Sequence, residues 1–173
     1  GYYHRTGQHC AFHPVTRLDR DTFGIVLLAK NAYTHTLLQQ QKIRKTYHAL
    51  TLGWSLPEEG IIDAPIARRP LPSLLRYVNP EGKPSVTEWQ VLERNEKLCK
   101  LALRPITGRT HQLRVHCSYM GFPILGDPQY GSVESQAFSG ELGLTHQMLC
   151  AKKLELFHPL TGLAMTMESG MDV

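Results

Sequence analysis

The sequence predicts an α+β fold built on a mainly antiparallel or mixed sheet. Three observations carry this expectation. The turn signals "NPEGK" and "RNEK" stand in series among strand-like segments, the pattern of antiparallel hairpins. Residues 24–43 read as strand, tight turn, helix. Residues 149–169 read as strand, turn, strand. With 173 residues and 42% apolar content, the chain is expected to form one domain, 1–173, able to bury a core.

The elements follow in order. GIVLLA (24–29) is a short run of branched apolar residues and is expected to be a strand. Asn31 can cap a helix, and AYTHTLLQQQKI supplies good helix formers, with Leu37 and Leu38 facing inward. TYHALTLG (46–53) returns to strand. Tyr47, Ala49 and Thr51 share one face, and His48, Leu50 and Leu52 the other. Residues 54–75, with several prolines and the pair Arg68-Arg69, read as loop-rich. SVTEWQVLE and LCKLALRP are strand-like. TGRTHQLRVHCSYMG (107–121) reads as a helix, started by Thr107 or Thr110 and stopped at Gly121. FPILGDPQYG is a loop, and HPLTG is the turn of the last hairpin.

Composition narrows the function. The formal charge is +4 and the pI about 8.9, a mildly basic balance that permits an anionic partner without requiring one. Cys10, Cys99, Cys117 and Cys150 are widely spaced and form no CxxC pair. A zinc ribbon and a disulfide framework are both unexpected, and reduced thiols in a cytoplasmic protein are predicted. No apolar run reaches transmembrane length, and GYYHRTGQHC is too polar for a signal peptide. HExxH is absent, and His111 and His116 fall on different helix faces, so no metal is predicted. Walker-type, GxGxxG and GxSxG motifs are also absent, which counts against nucleotide-driven, dinucleotide-dependent and serine-hydrolase chemistry.

The candidate site residues lie in three stretches. In "TRLDRDTFGIVLLAKN" (16–31), Asp19 and Asp21 stand with Arg17 and Arg20 directly before the apolar run. A carboxylate there is either a nucleophile or general base, or part of an Asx-turn or surface ion pair; the residues leave both readings open. In "TGRTHQLRVH", Arg109 beside a glycine at a helix start suits an anion. Arg114, between Leu113 and Val115, is either a buried guanidinium that needs a carboxylate or a half-exposed one with a packed stem. Tyr47 alone is ordinary strand material.

Taken in order, these stretches resemble one family. "RLDRDTFGIVLLAKN" is similar to the HRLDRDTSG-LLLLAKN motif of RluA-type pseudouridine synthases. "RKTYHAL" resembles their K-x-Y-x-A-L segment, and "LALRPITGRTHQLRVHCSYMGFPILGDPQYG" their TGR-THQ-IRVH…G-PI-GD…YG block. "CAKKLELFHPLTG" resembles the closing HA-x-x-L-x-F-HP-x-TG element, and "NPEGKPSVTEWQVL" a weaker GK-A-x-T-x-Y segment. The resemblance runs from about residue 14 to 162.

The resemblance implies a pseudouridine synthase catalytic core that turns uridine in ribosomal or transfer RNA into pseudouridine. It implies no cofactor and no metal; the absence of a long apolar run leaves no membrane segment expected, and a monomer is the default expectation. The family's catalytic aspartate falls on Asp19, not Asp21, with the choice of base or sugar as its target left open. The active-site tyrosine falls on Tyr47, which would stack on a flipped-out uracil. The basic residue paired with the aspartate falls on Arg114. Arg17 falls on an arginine that displaces the target base, Arg109 is the candidate phosphate contact, and Leu113 the candidate lining of the base pocket. Thr16 stands where the family has His, and Phe23 where it has Ser. Only residues 1–15 precede Thr16, so the family's first strand, its KP-x-G segment and any appended RNA-binding domain are expected to be missing. Competing readings are a non-catalytic RNA-binding relative, a hydrolase using Asp19 and Asp127, and a fragment of a longer enzyme. Intact Asp19, Tyr47 and Arg114 favour the synthase.

Overall fold

The computed structural model describes residue 7, residues 11–53 and residues 56–173; Cys10 and most of the opening stretch, with Trp54 and Ser55, lie outside the described residues. The predicted α+β class holds. The frame is one sheet in which β11 (Ala164–Glu168), β10 (Leu149–Phe157), β4 (Arg44–Leu52), β9 (Leu98–Pro105), β8 (Val86–Arg94) and β5 (Glu59–Asp63) follow side by side, each pair antiparallel. β2 (Phe23–Gly24) adds to β10 in parallel. Two small ladders stand apart: β1 (His13–Pro14) with β3 (Leu28–Ala29), and β6 (Ile66–Arg68) with β7 (Arg76–Val78).

The turns form for the reasons their residues suggest. Asn95 Oδ1 accepts from the backbone N–H of Lys97 and Leu98 (2.9 and 2.8 Å), which closes the β8–β9 hairpin. Asn79 Oδ1 accepts from Glu81 N at 2.8 Å in NPEGK. In HPLTG, Gly162 takes a positive φ of 71° and donates to the His158 carbonyl. Helix α1 (Ala32–Gln40) is capped by Asn31, whose Oδ1 accepts from Thr34 N at 2.8 Å. Leu38 is buried against Ala29 and Leu156, while Leu37 is half-buried.

The main core lies between the sheet and helix α2 (Gln112–Tyr119). Ala49, Leu101 and Leu103 from the sheet meet Leu113, Cys117, Phe122 and Ile124. Residues 112–117 of this short helix are all buried, so its polar side chains must find partners. They do so by tying three separate segments to the helix. Gln112 donates to the Val86 carbonyl (2.9 Å) and to Thr87 Oγ1 (3.0 Å). His116 binds Thr87 Oγ1 and the Ala64 carbonyl, each at 2.9 Å. Arg114 binds the loop that follows the helix. Cys99, Cys117 and Cys150 are buried thiols outside any disulfide. Among the described residues, no helix is long and apolar enough to cross a membrane.

Three expectations need correction, and one helix lies where none was expected. The run 24–29 is not one strand. Gly24, at φ +113°, lies so close to the Ala151 backbone that a Cβ would clash, and the chain leaves β10 before pairing again at Leu28. The region read as loop-rich holds β5 and β6, hidden because their runs are short and bounded by Pro65 and Pro70. Helix α2 starts at Gln112, and neither Thr107 nor Thr110 caps it. His111 precedes it in the left-handed region (φ 57°) with no side-chain cap bond. A third helix, α3 (Val133–Glu141), begins at Ser132, whose hydroxyl accepts from Ser135 N, in a stretch with no strong apolar period.

Candidate active site

A cleft of about 360 Å³ opens between the 17–22 loop, β4 and the segment 105–113. Its lining contains Arg17, Asp19, Tyr47, Arg109 and Leu113, residues far apart in sequence and singled out above. Lys45 lines it as well, two residues before Tyr47 on the same strand and therefore on the same face. Arg114 does not reach the lining; it sits behind it, 4% exposed.

The loop bearing Asp19 is fixed at both ends. On one side, buried Thr16 accepts from Leu27 N at 2.9 Å through its hydroxyl, and the Leu27 carbonyl takes Val15 N. On the other, Ile25 N donates to the Ala151 carbonyl at 3.0 Å, next to the parallel bridge at Gly24. Between them Thr22 N donates to the Asp19 carbonyl at 3.1 Å, a turn in which Asp21 takes the left-handed conformation (φ 68°). Gln147, buried just before β10, donates to the Arg20 carbonyl (2.6 Å) and to Thr22 Oγ1 (3.1 Å). Asp21 faces Arg20 at 3.2 Å and His146 at 3.7 Å. The two aspartates thus separate: Asp21 belongs to the turn, and Asp19 to the cleft. Sequence reasoning passed over Gln147; a lone Gln before a strand carries no signal of a long-range contact.

Arg114 is paired, but not with Asp19. Its Nε and Nη2 donate to the two oxygens of Asp127, each at 2.7 Å, and Nη2 also reaches Gln129 Oε1 at 3.0 Å. Asp127 is fully buried at its side chain and also accepts from Gln129 N and Tyr130 N. The Tyr130 ring lies 4.9 Å from the guanidinium carbon. Burial opposes the charge on Arg114, and the bonds to Asp127 outweigh it, holding its pKa above the ordinary value; the Asp19 charge adds to this. The expected Asp19–Arg114 ion pair is therefore replaced by a bidentate Arg114–Asp127 pair, with Asp19 acting on the guanidinium at longer range. The reason is proximity in the chain: Asp127 folds back directly over the helix from the loop that follows it.

Tyr47 stands on β4 opposite Leu103 of β9 and Ala151 of β10. Burial, with the negative charge of Asp19 adding to it, pushes its phenol up to about 12. Arg109 is exposed three residues before the helix, and its Nε donates to the Pro84 carbonyl at 3.2 Å. Its backbone N–H is taken by Gln112 Oε1 at 3.0 Å, so the predicted anion site made of free backbone donors at the helix start does not form at that N–H. The Arg109 side chain remains at the cleft. His111 bonds to the Tyr130 hydroxyl at 2.8 Å, which in turn accepts from Arg76 N at 2.9 Å. Burial lowers the His111 pKa against the pull of Asp19. Among the described residues, no three His, Cys, Asp or Glu side chains gather as a metal site would require.

Comparisons with known proteins place the chain in one family. A family model described as RNA pseudouridylate synthase matches residues 2–119. The uncharacterized RNA pseudouridine synthase YjbO of Bacillus subtilis is 40% identical over 164 residues, covering 92% of this chain and 56% of that protein. The ribosomal large subunit pseudouridine synthase C of Vibrio parahaemolyticus is 41% identical over 149 residues, covering 84% of this chain and 47% of that protein. The chain thus spans about half the length of these curated relatives. The solved structure of human RNA Pseudouridylate Synthase Domain Containing 1 matches with a TM-score of 0.80 at 28% identity, covering 98% of this chain and 71% of that one.

Proposed function

This chain belongs to the RNA pseudouridylate synthase family, and from that membership we propose that it isomerises uridine in RNA to pseudouridine in the cleft between Asp19 and Tyr47. The observation that carries the reading is the meeting of these two residues. An aspartate on a loop fixed at both ends and a half-buried tyrosine on the central strand line one cleft, close enough for the carboxylate to act on the phenol. The cleft volume, about 360 Å³, falls in the range of sites that hold one small ligand, such as a single nucleotide.

The reaction breaks the bond between N1 of uracil and C1′ of ribose, turns the base and rejoins it through carbon 5. Asp19 is the nucleophile, adding to the base or the sugar and then leaving. Tyr47 offers a flat, half-buried ring on which a flipped-out uracil stacks. Leu113 closes the pocket beside it. Arg17 meets the stack from which the base is drawn, and Arg109 holds a phosphate at the mouth. Arg114 acts from behind: its guanidinium, fixed by Asp127, attracts the Asp19 carboxylate without touching it. The partner is RNA, and a monomeric, cytoplasmic protein completes the proposal. Ribosomal RNA is the first substrate to try, because the relatives include ribosomal large subunit synthases.

The test is release of tritium from RNA labelled at carbon 5 of uridine. Wild type, Asp19→Asn and Asp21→Asn are compared on unmodified ribosomal and transfer RNA. Release by wild type and Asp21→Asn, abolished in Asp19→Asn, is expected. Free uracil in place of pseudouridine would replace isomerisation by hydrolysis. RNA binding with no release from either RNA would favour a non-catalytic relative.

A further inference from the structure

Among the described residues that line the cleft, Lys45 is the cation on the wall rather than the rim. Arg17 and Arg109 are exposed, whereas Lys45 is half-buried on β4, on the face that carries Tyr47. Burial lowers its pKa, and among the described residues no carboxylate or carbonyl pairs with its ammonium. Elsewhere in the sheet, comparable cations are answered. Lys100 meets Asp172 at 3.1 Å, and Lys152 donates to the Ser169 carbonyl at 2.9 Å. A half-buried, unpaired ammonium costs stability. Its place in the active cleft points to a ligand that completes it.

Resting on the reading above, we infer that Lys45 is a catalytic residue that stabilises negative charge on the uracil ring during isomerisation. A base stacked on Tyr47 lies along the strand face from which Lys45 projects, while its phosphates stay at the rim beside Arg17 and Arg109. When the N1–C1′ bond breaks, its electron pair stays on the base and spreads over N1, O2 and O4. Carbon 5 then gives a pair to C1′, its proton passes to water, and N1 takes a proton, so the product is an isomer of the substrate. If Asp19 first adds to the ring instead, the same carbonyl oxygens carry the charge. In either course an ammonium beside them gains attraction in the transition state that neutral uracil does not provide.

The variants are Lys45→Met, which keeps length without charge, and Lys45→Arg, which keeps charge. Single-turnover tritium release and equilibrium binding of the same ribosomal RNA are measured for each, with thermal melting to verify the fold. Lys45→Met is expected to slow release by about 100-fold, the scale of losing one charge-stabilising donor, with RNA affinity within about twofold of wild type. Lys45→Arg is expected to recover most of the rate. An unchanged rate in Lys45→Met overturns the inference. So does a loss confined to affinity and its salt dependence, which would make Lys45 a phosphate contact. A folded Lys45→Arg as slow as Lys45→Met would also overturn it. Wild type without release defeats the parent reading; wild type with release and an unaffected Lys45→Met defeats this inference alone.

Discussion

Replacing Asp127 by Asn should destabilise the fold far more than the same change at Asp19. Four N–H groups converge on the Asp127 carboxylate: Arg114 Nε and Nη2 at 2.7 Å, Gln129 N at 2.9 Å and Tyr130 N at 3.1 Å. Asparagine keeps one acceptor oxygen and turns an amide donor toward groups that are themselves donors. The 4%-exposed guanidinium is left without its counter-charge. Removing one partner of a buried pair costs about 3–5 kcal/mol, because the remaining charge stays desolvated. For a domain of this size that corresponds to a Tm lower by roughly 6–20 °C. Asp19 forms no ion pair among the described residues, so Asp19→Asn should move the Tm by no more than about 2 °C. Differential scanning calorimetry at pH 7 measures both. Arg114→Met added to Asp127→Asn should recover part of the loss, since the orphaned charge is then gone. Equal losses at Asp19 and Asp127 would show that Arg114 is shared between them, and a Tm unmoved in Asp127→Asn would refute the pairing outright.

Gln147→Met removes two donors that hold the Arg20–Thr22 turn, and the loosened Asp19 should lower single-turnover release about tenfold at unchanged RNA affinity. A weaker affinity with an intact rate would argue against that positioning role. Burial holds the His116 pKa below its ordinary 6.5, against the opposing Ala64 hydrogen bond, and burial also lowers His111. Both rings are therefore poor proton acceptors in the fold. Stability should be full above about pH 6.5 and fall below it, as the unfolded chain takes up protons that the folded one refuses. Tm measured from pH 8 to 5 checks this, and His116→Gln should flatten part of the fall. Arg109→Ala should weaken RNA binding and reduce the slope of log affinity against log salt by about one; an unchanged slope would remove Arg109 from the phosphate contacts.

What could be read from the sequence was local. Asn31, Asn95 and Asn79 signal their cap and turns because each bonds backbone two or three residues away. The long strands β4, β8, β9 and β10 were legible from their apolar patterns. The stretches that failed depend on distant partners. GIVLLA has strand residues throughout, but the Ala151 backbone decides where Gly24 pairs and where the chain departs. At the site, Arg17, Asp19, Tyr47, Arg109 and Leu113 were singled out through motif resemblance, while Lys45 and the pairing of Arg114 were not. A buried arginine demands a carboxylate, but sequence does not say which of two candidates folds over it.

The charges at the mouth of the apolar run now divide into two kinds. Asp21 and Arg20 answer each other within the turn, as Arg114 and Asp127 do in the core, and Asp172 with His48 and Lys100 on the sheet. Asp19 and Lys45 line the cleft with no such answer among the described residues. Stability alone would neutralise them or leave them in water, because desolvated charge without a partner opposes folding. Two opposite charges left unanswered in one cleft suit a ligand that enters it. Under the proposed reading, a uracil whose sugar bond is breaking would suit both, offering an electron-poor centre to Asp19 and negative charge on its ring oxygens to Lys45.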